Sequence, residues 1–137
     1  MTAVQFDTYT SARTHFKDLL DAADRGAVAT VRRDERTAAV VDGERLLVTL
    51  MKARPANAVV IPENGAWTVI LPGIPIASEA TTIDDAVLDV IDALREYADD
   101  WADRLSRAPN HAGNWDLVQL VTLATDAQLR LWLHANQ

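Results

Sequence analysis

Phe6-Asp7-Thr8-Tyr9-Thr10-Ser11-Ala12-Arg13, a helical run to Gly26, Val28-Ala29-Thr30-Val31, Arg32-Arg33-Asp34-Glu35-Arg36 and Thr37-Ala38-Ala39-Val40-Val41 decide the N-terminal fold. Ala12, Phe16, Leu19, Leu20 and Ala23 recur at the three-or-four spacing of one helical face. Thr10 is placed to cap that helix, its hydroxyl accepting a free backbone N–H of the first turn. Gly26 stands where a left-handed residue ends a helix. The two Val/Thr-rich runs, Val28–Val31 and Thr37–Val41, flank a charged turn. The stretch therefore reads as a helix followed by a β-hairpin.

The charges of this stretch are grouped. Arg13 is expected in the first helical turn, beside backbone N–H groups that lack intrahelical partners. Arg32, Arg33 and Arg36 fall in or beside the hairpin turn. Backbone N–H groups and guanidinium forks together suit phosphate. Ordinary solvated surface arginines are the competing reading, and spacing alone does not separate the two.

Tyr9-Thr10-Ser11-Ala12-Arg13, the helix to Gly26, Val31-Arg32-Arg33 and Ala38-Ala39-Val40-Val41 resemble the N-terminal domain of the Phd/YefM (prevent-host-death) antitoxins. The resemblance covers roughly the first fifty residues without a gap. It implies a β-α-β-β-α module that forms a homodimer through residues 1–53, binds operator DNA and represses its own operon. Arg13 and Arg33 match that family's basic DNA contacts. Thr10, Arg32 and Arg36 complete the candidate DNA-binding set.

Bulk properties point to two jobs. The chain has 137 residues and a formal net charge of −7. Residues 1–55 hold nine Lys/Arg against eight Asp/Glu, whereas residues 56–137 hold four against twelve. Such asymmetry implies different electrostatic partners for the two parts. No cysteine is present, which excludes disulfides, thiolate catalysis and cysteine metal sites. No secretion signal and no long uncharged run is visible, so a cytoplasmic protein without membrane contact is expected.

After Val41, a second helix is expected through Leu46, Leu47, Leu50 and Met51. Four apolar groups are many for so short a helix, which again favours a dimer. Arg54-Pro55 breaks it and sets the expected domain boundary, with domains 1–55 and 56–137. Ala58–Ile61 and Ala66–Leu71 read as strands around the hairpin signal Asn64-Gly65, followed by a short edge strand at Ile74–Ala77. Thr82 and Asp85 open a long helix whose apolar face carries Ile83, Val87, Val90, Ile91, Leu94, Tyr97, Trp101 and Leu105.

Gly65-Ala66-Trp67-Thr68-Val69, Leu71-Pro72-Gly73-Ile74, Ala80-Thr81-Thr82 and Asp84-Asp85-Ala86 resemble a second family, the HicB antitoxins, over about residues 58–98. The resemblance implies a β-β-β-α module, ribonuclease-H-like in outline, that binds an RNase toxin without cleaving anything itself. Two further helices are expected at Trp115–Ala124 and Asp126–His134, the second opened by a Thr125/Gln128 capping box. Trp115, Leu120, Leu123, Leu129, Trp132 and Leu133 are expected to bury against the sheet or a sister subunit. The fold class is therefore α+β, two modules with extra C-terminal helices.

At about 100° per residue, Asp85, Asp89, Asp92, Glu96, Asp99, Asp100 and Asp103 share one stripe of the long helix. Successive members repel one another and no Lys relieves them. The stripe is either an acidic solvated face or a docking surface for a basic toxin, with Asp85, Asp89, Asp92, Glu96, Asp99 and Asp103 as candidate toxin contacts. A straight stripe does not converge on one ion, so no metal is expected. His15, His111 and His134 are unpaired at metal-ligand spacing, and no nucleophile elbow, phosphate loop or dinucleotide fingerprint occurs. Neither catalysis nor a cofactor is expected.

These readings lead to a type II antitoxin that neutralises a cognate toxin and autorepresses its operon. A DNA-binding regulator with a C-terminal ligand-sensing or oligomerisation domain is the first alternative. An immunity or structural protein whose N-terminal module only dimerises is the second.

Overall fold

Two α+β units make up the chain in the computed structural model, which describes residues 3–135. By internal contacts the units are Met1–Val48 and Thr49–Gln137. Six α-helices and two three-stranded sheets occur among the described residues. None of these helices is long and apolar enough to cross a membrane.

The first unit begins with β1 (Ala3–Phe6), which runs parallel to β2 (Val28–Arg33); β2 pairs antiparallel with β3 (Arg36–Val40). Between β1 and β2 the expected single helix is two, α1 (Tyr9–Thr14) and α2 (Phe16–Asp24). The break has a local cause at His15, whose backbone leaves the helical region (φ −113°, ψ 33°). Its Nδ1 lies 2.9 Å from the Ser11 carbonyl and its ring stacks on Phe6 at 5.6 Å. The Thr14 hydroxyl also donates to the Thr10 carbonyl at 3.0 Å. Side chains thus engage the carbonyls of the preceding turn, which bends helices.

The cap also differs from the expectation. Thr8, extended at φ −136°, accepts the Ser11 N–H at 3.1 Å, so Thr8 and not Thr10 opens α1. At the other end Gly26 (φ +85°) closes α2: its N–H reaches the Ala23 carbonyl and the Ala27 N–H reaches the Ala22 carbonyl, both at 2.9 Å. That is the paired C-terminal motif a left-handed glycine permits. Ala12, Leu19, Ala22 and Ala29 form the core, with Val4, Phe6, Ala27, Val31 and Val40 packed against it.

Next comes α3 (Gly43–Ala53), whose first turn is capped by Asp42 accepting the Arg45 N–H at 3.0 Å. The division between units falls inside this helix, upstream of the Arg54-Pro55 break. Leu47 and Leu50 are buried within one chain and Leu46 and Met51 are half-buried. These four side chains are therefore not all left over for a partner, because the chain itself covers much of them.

In the second unit β4 (Val59–Glu63), β5 (Ala66–Leu71) and β6 (Ile76–Ala80) form an antiparallel meander. Asn64 (φ 52°) and Gly65 (φ 75°) make the first turn left-handed at both central positions, as two-residue hairpins prefer. The third strand lies later than expected. Gly73 (φ +86°) and the Ile76 N–H to Ile74 carbonyl bond at 2.8 Å prolong the turn, so pairing starts only after Pro75, which has no N–H to offer. Leu71 then faces Ile76 and Trp67 faces Ala80.

Helix α4 (Ile83–Asp100), capped by the Thr82 hydroxyl, buries Ala86, Val87, Val90, Ile91 and Leu94 and packs on β5, β6, α5 (Trp115–Leu123) and α6 (Asp126–His134). It runs on into a π turn, Trp101–Leu105. The Thr125/Gln128 capping box opens α6 as expected. Leu120, Leu129, Trp132 and Leu133 are buried, but Trp115 (52% exposed) and Leu123 (40%) are not. On α5 the buried residues Leu117, Val118, Leu120 and Val121 define one face, and at about 100° per residue Trp115 and Leu123 fall opposite it.

A polar chain ties the connector before α5 to α4. Arg54 donates to Asp116 (2.7 Å) and to Asn114 Oδ1 (3.0 Å), and Asn114 Nδ2 donates to the Tyr97 hydroxyl (2.8 Å). That hydroxyl lies 2.8 Å from His111 Nδ1, and Trp101 Nε1 donates to the His111 carbonyl at 2.8 Å. His111 is thus a structural residue of a satisfied network.

Candidate functional sites

Strand alternation sorts the N-terminal arginines by face. Side chains two apart on a strand share a face, so Ala29, Val31 and Arg33 point one way and Val28, Thr30 and Arg32 the other. Arg33 lies opposite Arg36 in the register, and Arg32 lies opposite Thr37. Arg33 and Arg36 therefore share the side of the sheet on which α1 and α2 pack, while Arg32 belongs to the open side. The sequence groups all three; the structure separates Arg32 from the other two.

Tyr9, the first residue of α1, meets this group. The Arg33 guanidinium carbon lies 5.9 Å from the centre of the Tyr9 ring. Arg13 follows Tyr9 by one helical turn, on the same face. Arg13 occupies the last turn of α1, not the first, because the helix starts at Tyr9. The unpaired N–H groups expected beside it belong to residues nearer Thr8, and a helix of six residues makes no anion site by its N-terminus. Thr10 is exposed on the second position of α1. Among the described residues no carboxylate forms an ion pair with Arg13, Arg32, Arg33 or Arg36, although Asp34 and Glu35 lie in the same hairpin.

The contrast is with Lys17, whose hydrogen bond to Asp21 at 2.7 Å, together with that carboxylate's charge, raises its pKa. Sequence reasoning did not single out Tyr9. The signal was present in its spacing to Arg13, but only once Thr8 is recognised as the cap.

On α4 the acidic residues Asp85, Asp89, Asp92, Glu96, Asp99 and Asp100 are all exposed on the face away from the buried Val87, Val90, Ile91 and Leu94. Asp100 pairs with Arg104 at 3.7 Å, and the other five have no ion pair among the described residues. Asp103 is exposed too, but it lies on the π turn, whose wider winding takes it off the α-helical register of the stripe. Arg95, on the same helix, is turned to the Val121 and Ala124 carbonyls and to Asp126, so it neutralises none of the stripe. Among the described residues no group of His, Asp and Glu could hold a metal ion.

Two hollows accompany these faces. One, in the first unit, is an open groove of about 290 Å³ lined by Val4, Phe6, Asp18, Asp21 and Arg25. The other, between the Arg54-Pro55 segment and Trp132 in the second unit, holds about 20 Å³, room for little more than one water.

A family profile described as PHD-like, antitoxin of toxin-antitoxin, RelE/RelB, TA system, matches residues 2–128. The match spans both units. No curated protein matches. Among solved structures, the crystal structure of an antitoxin part of a proposed toxin/antitoxin system from Syntrophomonas wolfei subsp. wolfei is similar in fold. It has a TM-score of 0.77 and 17% sequence identity, with 96% of each chain covered.

Proposed function

This chain belongs to the PHD-like family of toxin–antitoxin antitoxins, and from that premise we propose that it binds operator DNA through its N-terminal unit and a cognate toxin through its C-terminal unit. In this reading residues 1–55 form a Phd/YefM-like DNA-binding domain that dimerises through residues 1–53. Residues 56–137 form a HicB-like toxin-neutralising domain with a helical tail. DNA binding at its own promoter represses the operon.

The observation that carries the DNA reading is the unneutralised cationic face of Arg13, Arg33 and Arg36 around Tyr9. Guanidinium groups without carboxylate partners, set on strand and helix ends, are free to grip phosphate bidentately. Thr10 flanks the group and can donate a hydroxyl. Arg32, on the opposite side of the hairpin, contributes charge at longer range. Exposed Tyr9, Phe16, Leu20, Val28 and Val48 supply apolar surface for a dimer.

The toxin reading draws on the α4 stripe. Five exposed carboxylates without ion pairs, in a part of the chain with twelve Asp/Glu against four Lys/Arg, suit a basic protein such as an RNase, whose active site attracts RNA phosphate.

Co-expression with the adjacent open reading frame tests the whole reading. A toxic product rescued and co-purified by this chain supports it, and a neighbour that is harmless alone sinks the neutralisation part. Retardation of its own promoter fragment, abolished or weakened more than tenfold by Arg13→Ala, tests the DNA part. Unchanged retardation by that variant would remove Arg13 from the interface.

A further inference from the structure

Arg33 and Arg36 oppose each other at the last pair of the β2–β3 ladder. Like charges directly across a strand pair repel. An arginine in that position, with no carboxylate nearby, would otherwise spread over many rotamers and lose that freedom on binding. One contact acts against the spread: the Tyr9 ring, 5.9 Å from the Arg33 guanidinium carbon. A guanidinium over an aromatic face is attracted by the ring quadrupole. The Thr8 cap fixes where α1 begins and therefore where this ring stands. Tyr9 is 59% exposed, so the core does not account for its size. Its neighbour one turn on is Arg13.

We propose that Tyr9 is a positioning residue for Arg33: its ring holds the guanidinium on the Arg13 side of the hairpin, so that Arg13 and Arg33 meet DNA phosphates as a preorganised pair. The inference rests on the DNA-binding reading above. Preorganisation raises affinity by removing part of the ordering cost, without any new contact to the ligand. The hydroxyl is not required, because the attraction comes from the ring face. Phenylalanine should therefore replace tyrosine, and leucine should not.

The test has two arms on the full chain. In the first, without DNA, the Arg33 side-chain protons are followed by NMR. They are expected upfield in the wild type and in Tyr9→Phe, from the ring current, and back at ordinary positions in Tyr9→Leu. In the second, binding to its own promoter fragment is measured for Tyr9→Leu, Tyr9→Phe, Arg33→Ala and the double variant Tyr9→Leu/Arg33→Ala. Tyr9→Leu is expected to weaken binding about two- to fivefold per subunit. Tyr9→Phe is expected to bind as the wild type, and the double variant no more weakly than Arg33→Ala alone.

Ordinary Arg33 shifts in the wild type would overturn the inference whatever the DNA result. So would fully additive losses in the double variant, which would mean that Tyr9 acts independently of Arg33. Equal losses in Tyr9→Phe and Tyr9→Leu would assign the effect to the hydroxyl and overturn it too. A ring-current shift in a wild type that retains no DNA would refute the DNA-binding reading itself and take the inference with it, while leaving the Tyr9–Arg33 contact standing.

Discussion

Arg33→Ala and Arg32→Ala, two neighbouring substitutions of the same residue type, should have different effects on DNA binding. The register puts Arg33 on the side of the sheet that carries Tyr9 and Arg13, and Arg32 on the other. If the first side meets DNA, losing Arg33 removes one phosphate contact per subunit, two in a dimer. Each contact contributes about 0.9 to the slope of log affinity against log salt, so Arg33→Ala should flatten that slope by about 1.8. Across a fourfold change in salt, from about 50 to about 200 mM, the deficit relative to wild type should therefore shrink by about tenfold. A well-placed arginine contact is worth about 1–3 kcal/mol, so at the low-salt end the loss should exceed tenfold in affinity. Arg32→Ala should leave the slope within about one unit of wild type, because its charge acts only at a distance within the screening length. Fluorescence anisotropy with a labelled promoter fragment, titrated at several salt concentrations, reads both quantities. Equal slope changes for the two variants would refute the assignment of faces.

Thr8→Ala should destabilise the chain by about 0.5–2 kcal/mol in urea unfolding, the ordinary cost of a lost helix cap. Thr10→Ala, which leaves that cap intact, should cost less; the reverse order would mean that α1 begins later. Tyr97→Phe should cost about 1–2 kcal/mol, since it leaves the Asn114 amide and His111 Nδ1 half-buried without their shared partner; an unchanged midpoint would mean that water replaces the hydroxyl. Asp89→Lys with Glu96→Lys should stabilise α4 by a few tenths of a kcal/mol per new pair with Asp85, Asp92, Asp99 and Asp100. The same double change should abolish growth rescue if the stripe receives a basic toxin, and full rescue would return the stripe to solvent.

Much of the local architecture was legible because its signals are short-range. Gly26 ends a helix whatever lies elsewhere, since its backbone needs φ +85° and a Cβ there would press within 3.0 Å of the Arg45 guanidinium. Asn64-Gly65 specifies its hairpin through two left-handed residues, and Thr125 with Gln128 specifies the start of α6 through two reciprocal hydrogen bonds. The apolar face of α4 is a clean helical repeat, and its complement is the acidic stripe. Each of these signals acts over four residues or fewer, or repeats often enough to average out local noise.

What escaped the sequence depends on competition or on long-range register. Thr8 and Thr10 are equivalent capping residues by chemistry, and the choice between them turns on which start lets Ala12 and Leu19 both reach the core. That choice moves Arg13 from the first turn to the last and brings Tyr9 to Arg33. One cap thus decides which arginines cooperate. The split at His15 follows from a ring that both stacks on Phe6 and engages the Ser11 carbonyl, contacts that no helical repeat encodes. The separation of Arg32 from Arg33 needs only strand alternation, but the sequence places both in the turn, where alternation does not apply. Once β2 extends through Arg33, the hairpin closes on Asp34-Glu35 alone, and the two arginines must face opposite ways. The position of a turn, shifted by two residues, is therefore what converts a loose basic cluster into a face with a direction.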